Sequence, residues 1–268
     1  VKPERIVLEA TGGYERELVQ TLQKYELSVA VVNPRRIRDF AKSCGVMAKT
    51  DALDAAIIAK YGAILKPEPQ APTSENSYLL KALIARRRQL TDMLVKENNR
   101  KEHIYDEQIE QSLTVVLQVL ESEISTIDKA VSEAIRSDCE ISNKAAILET
   151  VPGIGCVTAH VLVTQLPELG AYNRQQIAAL MGVAPMNRDS GMFRGKRMTG
   201  GGRRQVRTQL YMPTLVAIQH NPAIRVFYQR LVASGKPKMT AVVAAMRKLI
   251  VIINSMLKNN QRWNAELA

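Results

Sequence analysis

The chain has 268 residues, of which 46% are hydrophobic but only 4% aromatic, so its cores must be built from Leu, Ile, Val and Ala, which favours helices. Its net charge of +11 is lopsided: residues 185–268 carry 15 Lys/Arg against 2 Asp/Glu (+13), leaving 22 against 24 (−2) for residues 1–184. Such a segment beside a near-neutral body points to a polyanion, with nucleic acid ahead of an anionic membrane, since no basic amphipathic anchor with exposed aromatics stands out. The odd set Cys44, Cys139 and Cys156 lacks metal-ligand spacing and suits a reduced, cytosolic protein. No signal peptide is visible, and no apolar run reaches the roughly 18 residues of a membrane span.

In chain order, residues 5–10 (RIVLEA) form a short apolar run that ends at Glu9 and meets Thr11-Gly12-Gly13, the pattern of a buried strand stopping at a turn. Leu18, Val19, Leu22 and Tyr25 then recur at helical spacing within residues 14–26. Residues 27–32 (LSVAVV) give a second strand, closed by Asn33-Pro34, and further helices are predicted from Arg35 and over residues 51–65. Strand, helix, strand, helix is the signature of a parallel α/β layer. Two strands alone make a small sheet, and the chain opens with Val1, so more strands are expected upstream.

Residues 66–74 (KPEPQAPTS) read as a linker, and the stretch 75–136, free of Pro and Gly, as long helices. Leu113, Leu117, Leu120, Ile124, Ile127, Val131 and Ala134 form an a/d seam, whereas Arg87 interrupts the earlier series Leu83, Leu90, Leu94. A helical hairpin and a dimerising coiled coil both fit, with a tip or break near residues 97–111; one amphipathic helix packed within its own chain fits as well. Residues 148–166 (LETVPGIGCVTAHVLVTQL) read as helix, Pro-Gly-Ile-Gly turn, helix. This resembles a helix-hairpin-helix, in which Gly153 and Gly155 would expose backbone N–H groups to a phosphate; a tight turn without ligand has the same pattern. Helices are expected over residues 174–181, 205–219, 222–234 and 238–258.

Between them lies residues 186–210, MNRDSGMFRGKRMTGGGRRQVRTQL, with Ser190 in an Asp-Ser-Gly turn, seven Lys/Arg and three consecutive glycines. Arg188, Arg194, Lys196, Arg197, Arg203, Arg204 and Arg207 suit phosphate contacts. His103, His160 and His220 are isolated and read as structural or surface residues, so Ser190 has no histidine nearby in sequence and needs a metal or a basic cluster to act as a nucleophile. Carboxylates for a metal exist at Glu9, ending a strand, and at Asp51 and Asp54, three apart on one face of a helix start. Converging, they suit Mg²⁺, which prefers oxygen ligands. Asp51 and Asp54 equally suit ordinary first-turn acids, and Ser190 an ordinary turn residue.

These residues also carry a family resemblance. LEATGGYE at 8–15 and KTDALDAAIIA at 49–59, with LETVPGIGCVTA, GVAPMNRDSGMFRGKRMTGGGRRQVRTQLYM, FYQRLVASGKPK and AMRKL, resemble the DEDD insertion-sequence transposases. That group includes Piv-type DNA invertases and RNA-guided bridge recombinases, and the likeness is strongest to the subgroup with GGR-x-x-VR-x-x-LYM. The resemblance implies a mainly α protein with an α/β part: a partial ribonuclease-H/resolvase-like domain (residues 1–66), a linker (67–74), a coiled coil or helical hairpin (75–144) and an all-α transposase domain with a helix-hairpin-helix (145–268). It implies that Glu9, Asp51 and Asp54 are three of four acidic ligands of Mg²⁺ and that Ser190 is the nucleophile. It further implies donor and target DNA, a guide non-coding RNA and a homodimer or tetramer as partners, in a bacterial or archaeal cytoplasm. The family's first aspartate, in a Gly-Ile-Asp type stretch, has no counterpart here, so this chain alone is expected not to catalyse. Asp54 and Ser190 can meet within one chain or across a dimer. The rival readings are a metal-dependent DNA junction endonuclease or resolvase, in which water attacks, and a non-catalytic nucleic-acid-binding module.

Overall fold

A computed structural model describes residues 3–47, 50–70, 74–103, 106–186, 189–190, 193–195 and 197–264. The chain divides into two compact units, Val1–Glu75 and Asn76–Ala268.

The first unit runs β1 (Ile6–Glu9), α1 (Glu15–Lys24), β2 (Val29–Val32), α2 (Pro34–Ser43), α3 (Asp51–Leu65). The strands are parallel, from Ile6 opposite Val29 to Glu9 opposite Val32, as the strand–helix–strand pattern predicts. The linker is not free of this sheet, since the Gln70 N–H donates to the Val29 carbonyl at 2.8 Å. Helix α3 starts where Thr50 accepts from the Leu53 N–H, and stops at Lys66, whose φ of 42° is left-handed. It seats closely on β1: a Cβ on Gly62 would lie 2.8 Å from Cγ2 of Val7. Val32, Ile37, Ala41, Ile57 and Tyr61 form the core, with Phe40 edge-on to Tyr61 at 5.3 Å.

In the second unit α4 (Glu75–Lys101) and α5 (Glu107–Arg136) form an antiparallel hairpin. Three cross-links share one register: the Asn76 amide donates to the Ala134 carbonyl, Arg87 binds Asp128 through two nitrogens, and Lys101 lies 3.8 Å from Glu110. Arg87, which breaks the apolar spacing, therefore has its own carboxylate. Leu117, Leu120, Val131 and Ala134 of the α5 seam are buried inside this chain. Both helices are long, as the absence of Pro and Gly predicts, and these four seam residues are covered within this chain.

Then follow α6 (Cys139–Glu149), α7 (Cys156–Gln165) and α8 (Arg174–Met181), and after residue 199 α9 (Arg204–His220), α10 (Pro222–Ala233) and α11 (Lys238–Lys258). They pack around α11, whose Leu249, Ile250 and Ile253 are fully buried. By length and composition α11 could cross a membrane (21 residues, hydropathy 1.6), yet it supplies the centre of this core. Its buried Asn254 accepts from the Gly170 N–H and donates to the Tyr172 carbonyl, which pins the approach to α8. The unit is not all-α. Pro185–Met186 (β3) pairs antiparallel with Met198–Thr199 (β6), and Asp189–Ser190 (β4) with Phe193–Arg194 (β5). Gly182 at φ +75 ends α8, and Pro185 cannot continue a helical ladder, so the chain is released into this excursion.

Removing the Arg87 guanidinium (Arg87→Ala) is expected to destabilise the hairpin by about 1 kcal/mol, since the pair is only partly shielded from water. A double-mutant cycle with Asp128→Ala, read by urea unfolding, checks this. Zero coupling would mean that the pair does not hold α4 to α5.

Candidate functional site

The serine sits on a β-hairpin. Ser190 faces Phe193 across the β4–β5 pair, so it is a strand residue at the tip of the excursion rather than a residue of the turn itself. Ser190 is exposed, and its hydroxyl makes no hydrogen bond with a described residue. Arg188 and Lys196 lie outside the described residues; Arg194 is placed by its backbone in β5.

Below the tip, Gly202 of the three glycines is tightly packed against the end of α8, whereas Gly201 has open space around it. A Cβ on Gly202 (φ +62) would lie 2.3 Å from the Gly182 nitrogen and 2.5 Å from the Leu180 carbonyl oxygen, and one on Gly182 would lie 2.2 Å from the Gly201 oxygen. The Arg203 N–H donates to the Leu180 carbonyl at 2.7 Å, and its guanidinium grips both oxygens of Glu168 and the Gln165 carbonyl. Arg207 donates to the Gly182 and Gly201 carbonyls. Arg203 and Arg207 thus have protein partners and fasten the hairpin base to α8, whereas Arg197 and Arg204 are exposed. Glu168, which sequence reading did not pick out, lies 35 residues from Arg203 and meets it only through the fold.

The Pro-Gly-Ile-Gly turn also splits. Gly153, at φ +101, packs on α9, where a Cβ would lie 2.8 Å from the Ala217 nitrogen. Gly155 caps α7 with nothing within 4 Å, and no side chain caps that helix. The open N–H groups that a phosphate could use therefore belong to the Gly155 end. His160 on α7 lies 3.9 Å from Glu149; burial lowers its pKa below the usual 6.5, against the pull of that carboxylate, which suits a packed residue.

In the first unit, Glu9 and Asp54 line one cleft of about 240 Å³ with Arg35, Arg38, Pro34, Ile37 and Ala41. Parallel pairing puts Glu9 at the carboxyl end of β1, and α3 brings Asp54 from its first turn. Asp51 stands on the same turn, exposed, and does not line the cleft. Among the described residues no three His, Cys, Asp or Glu side chains gather as a metal site. The donor chemistry of Glu9 and Asp54 fits a hard divalent cation, but as a pair they are short of a full set. Arg35 and Arg38 were not foreseen; they offset the carboxylates and could meet a phosphate in the same cleft.

Glu15 holds the loop that follows Glu9. Its Oε2 accepts at 2.9 Å from the Thr11 N–H, the Thr11 hydroxyl and the Gly13 N–H. Desolvation pushes its pKa up, but the backbone N–H donors of Glu15, Thr11 and Gly13, with the Thr11 hydroxyl, prevail and lower it from 4.5 to about 2.

Two family models match this chain, the first reaching past the first unit into the α4–α5 helices. Residues 1–108 match the family model described as Transposase, and residues 145–229 that described as Transposase IS116/IS110/IS902 family. The pilin gene-inverting protein of Moraxella bovis is 31% identical over 268 residues, 98% of this chain and 82% of that protein, and its counterpart in Moraxella lacunata matches to the same extent. An uncharacterized 43.6 kDa protein of insertion element IS110 from Streptomyces coelicolor is 24% identical over 161 residues, 58% of this chain and 40% of its own.

Two outcomes follow from this geometry. Gly202→Ala is expected to lower stability by about 1–3 kcal/mol in urea unfolding, because the site has neither the space nor the backbone sign for a Cβ. Wild-type stability would mean that the glycines are not packed on α8. For Glu15 the folded pKa is depressed, so its contribution is complete above pH 4.5 and is lost as pH falls towards about 2. Thermal unfolding followed by circular dichroism should therefore show a decline over that interval that is shallower in Glu15→Gln.

Proposed function

Because the chain belongs to the IS110 family of transposases, we propose that it recombines DNA through Ser190, with Glu9, Asp51 and Asp54 holding Mg²⁺, under the direction of a guide non-coding RNA. The observation that carries the nucleophile is the exposure of Ser190 at a hairpin tip whose base is fastened to α8. In the reaction the Ser190 oxygen attacks a DNA phosphorus and gives up its proton to solvent. The P–O bond to the departing DNA hydroxyl breaks, and that oxygen takes up a proton, leaving a phosphoserine diester. Attack by a different DNA hydroxyl reverses the step and joins new ends, so the phosphodiester energy is conserved. Arg197 and Arg204, with Arg188, Arg194 and Lys196 of the same segment, supply charge for the phosphate oxygens in the transition state. Mg²⁺ on the carboxylates would supply Lewis-acid chemistry at a phosphate oxygen. Glu9 and Asp54 are supported as its ligands by the cleft they share, Asp51 by its place on the Asp54 turn.

In domain terms we read residues 1–66 as part of a ribonuclease-H-like domain, supported by the parallel pair with a carboxylate at its strand end, and residues 67–74 as a linker. Residues 75–144 are the helical hairpin and 145–268 the serine-bearing transposase domain, with a helix-hairpin-helix at Gly153–Gly155 supported by the uncapped start of α7. Homodimer or tetramer assembly is supported by exposed Ile109, Val115, Val116 and Val119 on α5, which stand beside the occupied seam. One observation favours a second reading, hydrolysis by water with Ser190 as a hairpin residue: its hydroxyl has no base among the described residues.

Full-length protein purified with its RNA and incubated with labelled DNA and Mg²⁺ is expected to give a detergent-resistant adduct mapping to Ser190. Ser190→Ala should give none, and Glu9→Gln or Asp54→Asn roughly a hundredfold less. DNA joining by Ser190→Ala would end the nucleophile reading, and cleavage without adduct would establish water attack. Sequencing the co-purified RNA tests the guide: a single structured species supports it, and heterogeneous cellular RNA counts against it.

A further inference from the structure

Two stretches of the C-terminal segment, FYQRL and AMRKL, have no part in the reaction proposed above. The fold brings them together. Arg247 and Lys248 of α11 and Arg174 at the start of α8 line one cleft of about 380 Å³, with Phe227 of α10 at its wall. No Asp or Glu lines it, and none occurs between residues 190 and 265. Among the described residues, none of the three cations has a carboxylate within 4.0 Å. An ordinary solvated face would mix signs; this one does not.

The cations are also partly immobilised. Lys248 Nζ lies 5.3 Å from the Phe227 ring centre and 3.4 Å from the Ala223 carbonyl oxygen, and the Arg230 guanidinium is 5.4 Å from the same ring. Arg247 and Lys248 are half-buried. Side chains held in this way lose less conformational freedom when they grip an anion. We propose that Arg174, Arg247 and Lys248, gathered beside Phe227, form a second contact for the phosphodiester backbone of nucleic acid, separate from the serine hairpin. It rests on the reading that this chain handles nucleic acid.

The placement gives the contact a geometry. Arg174 opens α8 and the glycine clasp of the hairpin meets it at Gly182, so one helix of eight residues, about 12 Å long, links the cleft to the base of the serine segment.

The test is fluorescence anisotropy of the full chain with a labelled DNA duplex and, separately, an RNA hairpin, over a series of salt concentrations. Arg247→Gln/Lys248→Gln should weaken binding to at least one probe and reduce the log–log salt slope on the duplex by about 1.8, two phosphates at about 0.9 each. Which probe responds identifies the strand. The loss should persist in an Arg197→Gln/Arg204→Gln background, because the sites are separate. Arg247→Lys/Lys248→Arg should retain binding; if it loses as much as the neutral pair, the effect is packing and the proposal fails. Unchanged affinity and slope on both probes, with an unchanged melting curve, would overturn the proposal alone. A wild-type chain that binds neither probe would overturn it together with the nucleic-acid reading.

Discussion

The close approach of Gly202 to Gly182 at the end of α8 fixes the base of the segment that carries the serine. Backbone lies directly on backbone there, with Gly202 and Gly182 too close for any side chain, and the approach is locked by the Arg203 N–H on the Leu180 carbonyl. Two neighbouring arginines complete the lock, one on Glu168 and one on the Gly182 and Gly201 carbonyls. A short hairpin of two-residue strands has little stability of its own. It becomes a defined platform for Ser190 only because its base is fixed to a helix that itself packs on α11.

The first unit solves a similar problem with a different group. Parallel pairing carries Glu9 to the end of β1, where the chain must turn through two glycines of positive φ. Glu15 collects the donors of that turn on one oxygen and so fixes the loop that follows Glu9. Arg35 and Arg38 line the same cleft as Glu9 and Asp54, so both signs of charge meet there. In both units glycines of positive φ turn the chain beside the groups in question.

How much of this could be read in advance depended on the range of the interaction. Helix α3 was legible to the residue, because Thr50 at its start is a local signal, and α11 because Pro237 precedes it. The β1–β2 pair was legible as two apolar runs joined by one helix. The seam on α5 was legible as a face, but spacing names a buried face without naming what covers it, and here residues of α4, α6 and α7 share the cluster with it. The roles of Gly153, Arg203 and Arg207 were not legible. Their partners are Ala217, Glu168 and the carbonyls of Gly182 and Gly201, all supplied by the fold. A loop rich in arginine looks uniform in sequence; only the fold separates those that brace it from those that remain open. The β4–β5 pairing at Ser190 is not legible in the sequence, because strands of two residues carry no periodicity to detect.

That separation bears on the charge of the whole second unit. The segment from residue 185 onward carries +13, and acids that could offset it lie on earlier helices. Asp128 is engaged by Arg87, and Glu168 by Arg203. The remaining cations repel one another across a compact surface, a cost that folding alone does not remove. A polyanion removes it, and binds the folded state more tightly than an unfolded chain whose charges are farther apart. Nucleic acid is therefore more than a substrate for such a unit. On the reading proposed above, its phosphates would supply the counter-charge, and stability, salt concentration and occupancy would be linked through the same arginines and lysines.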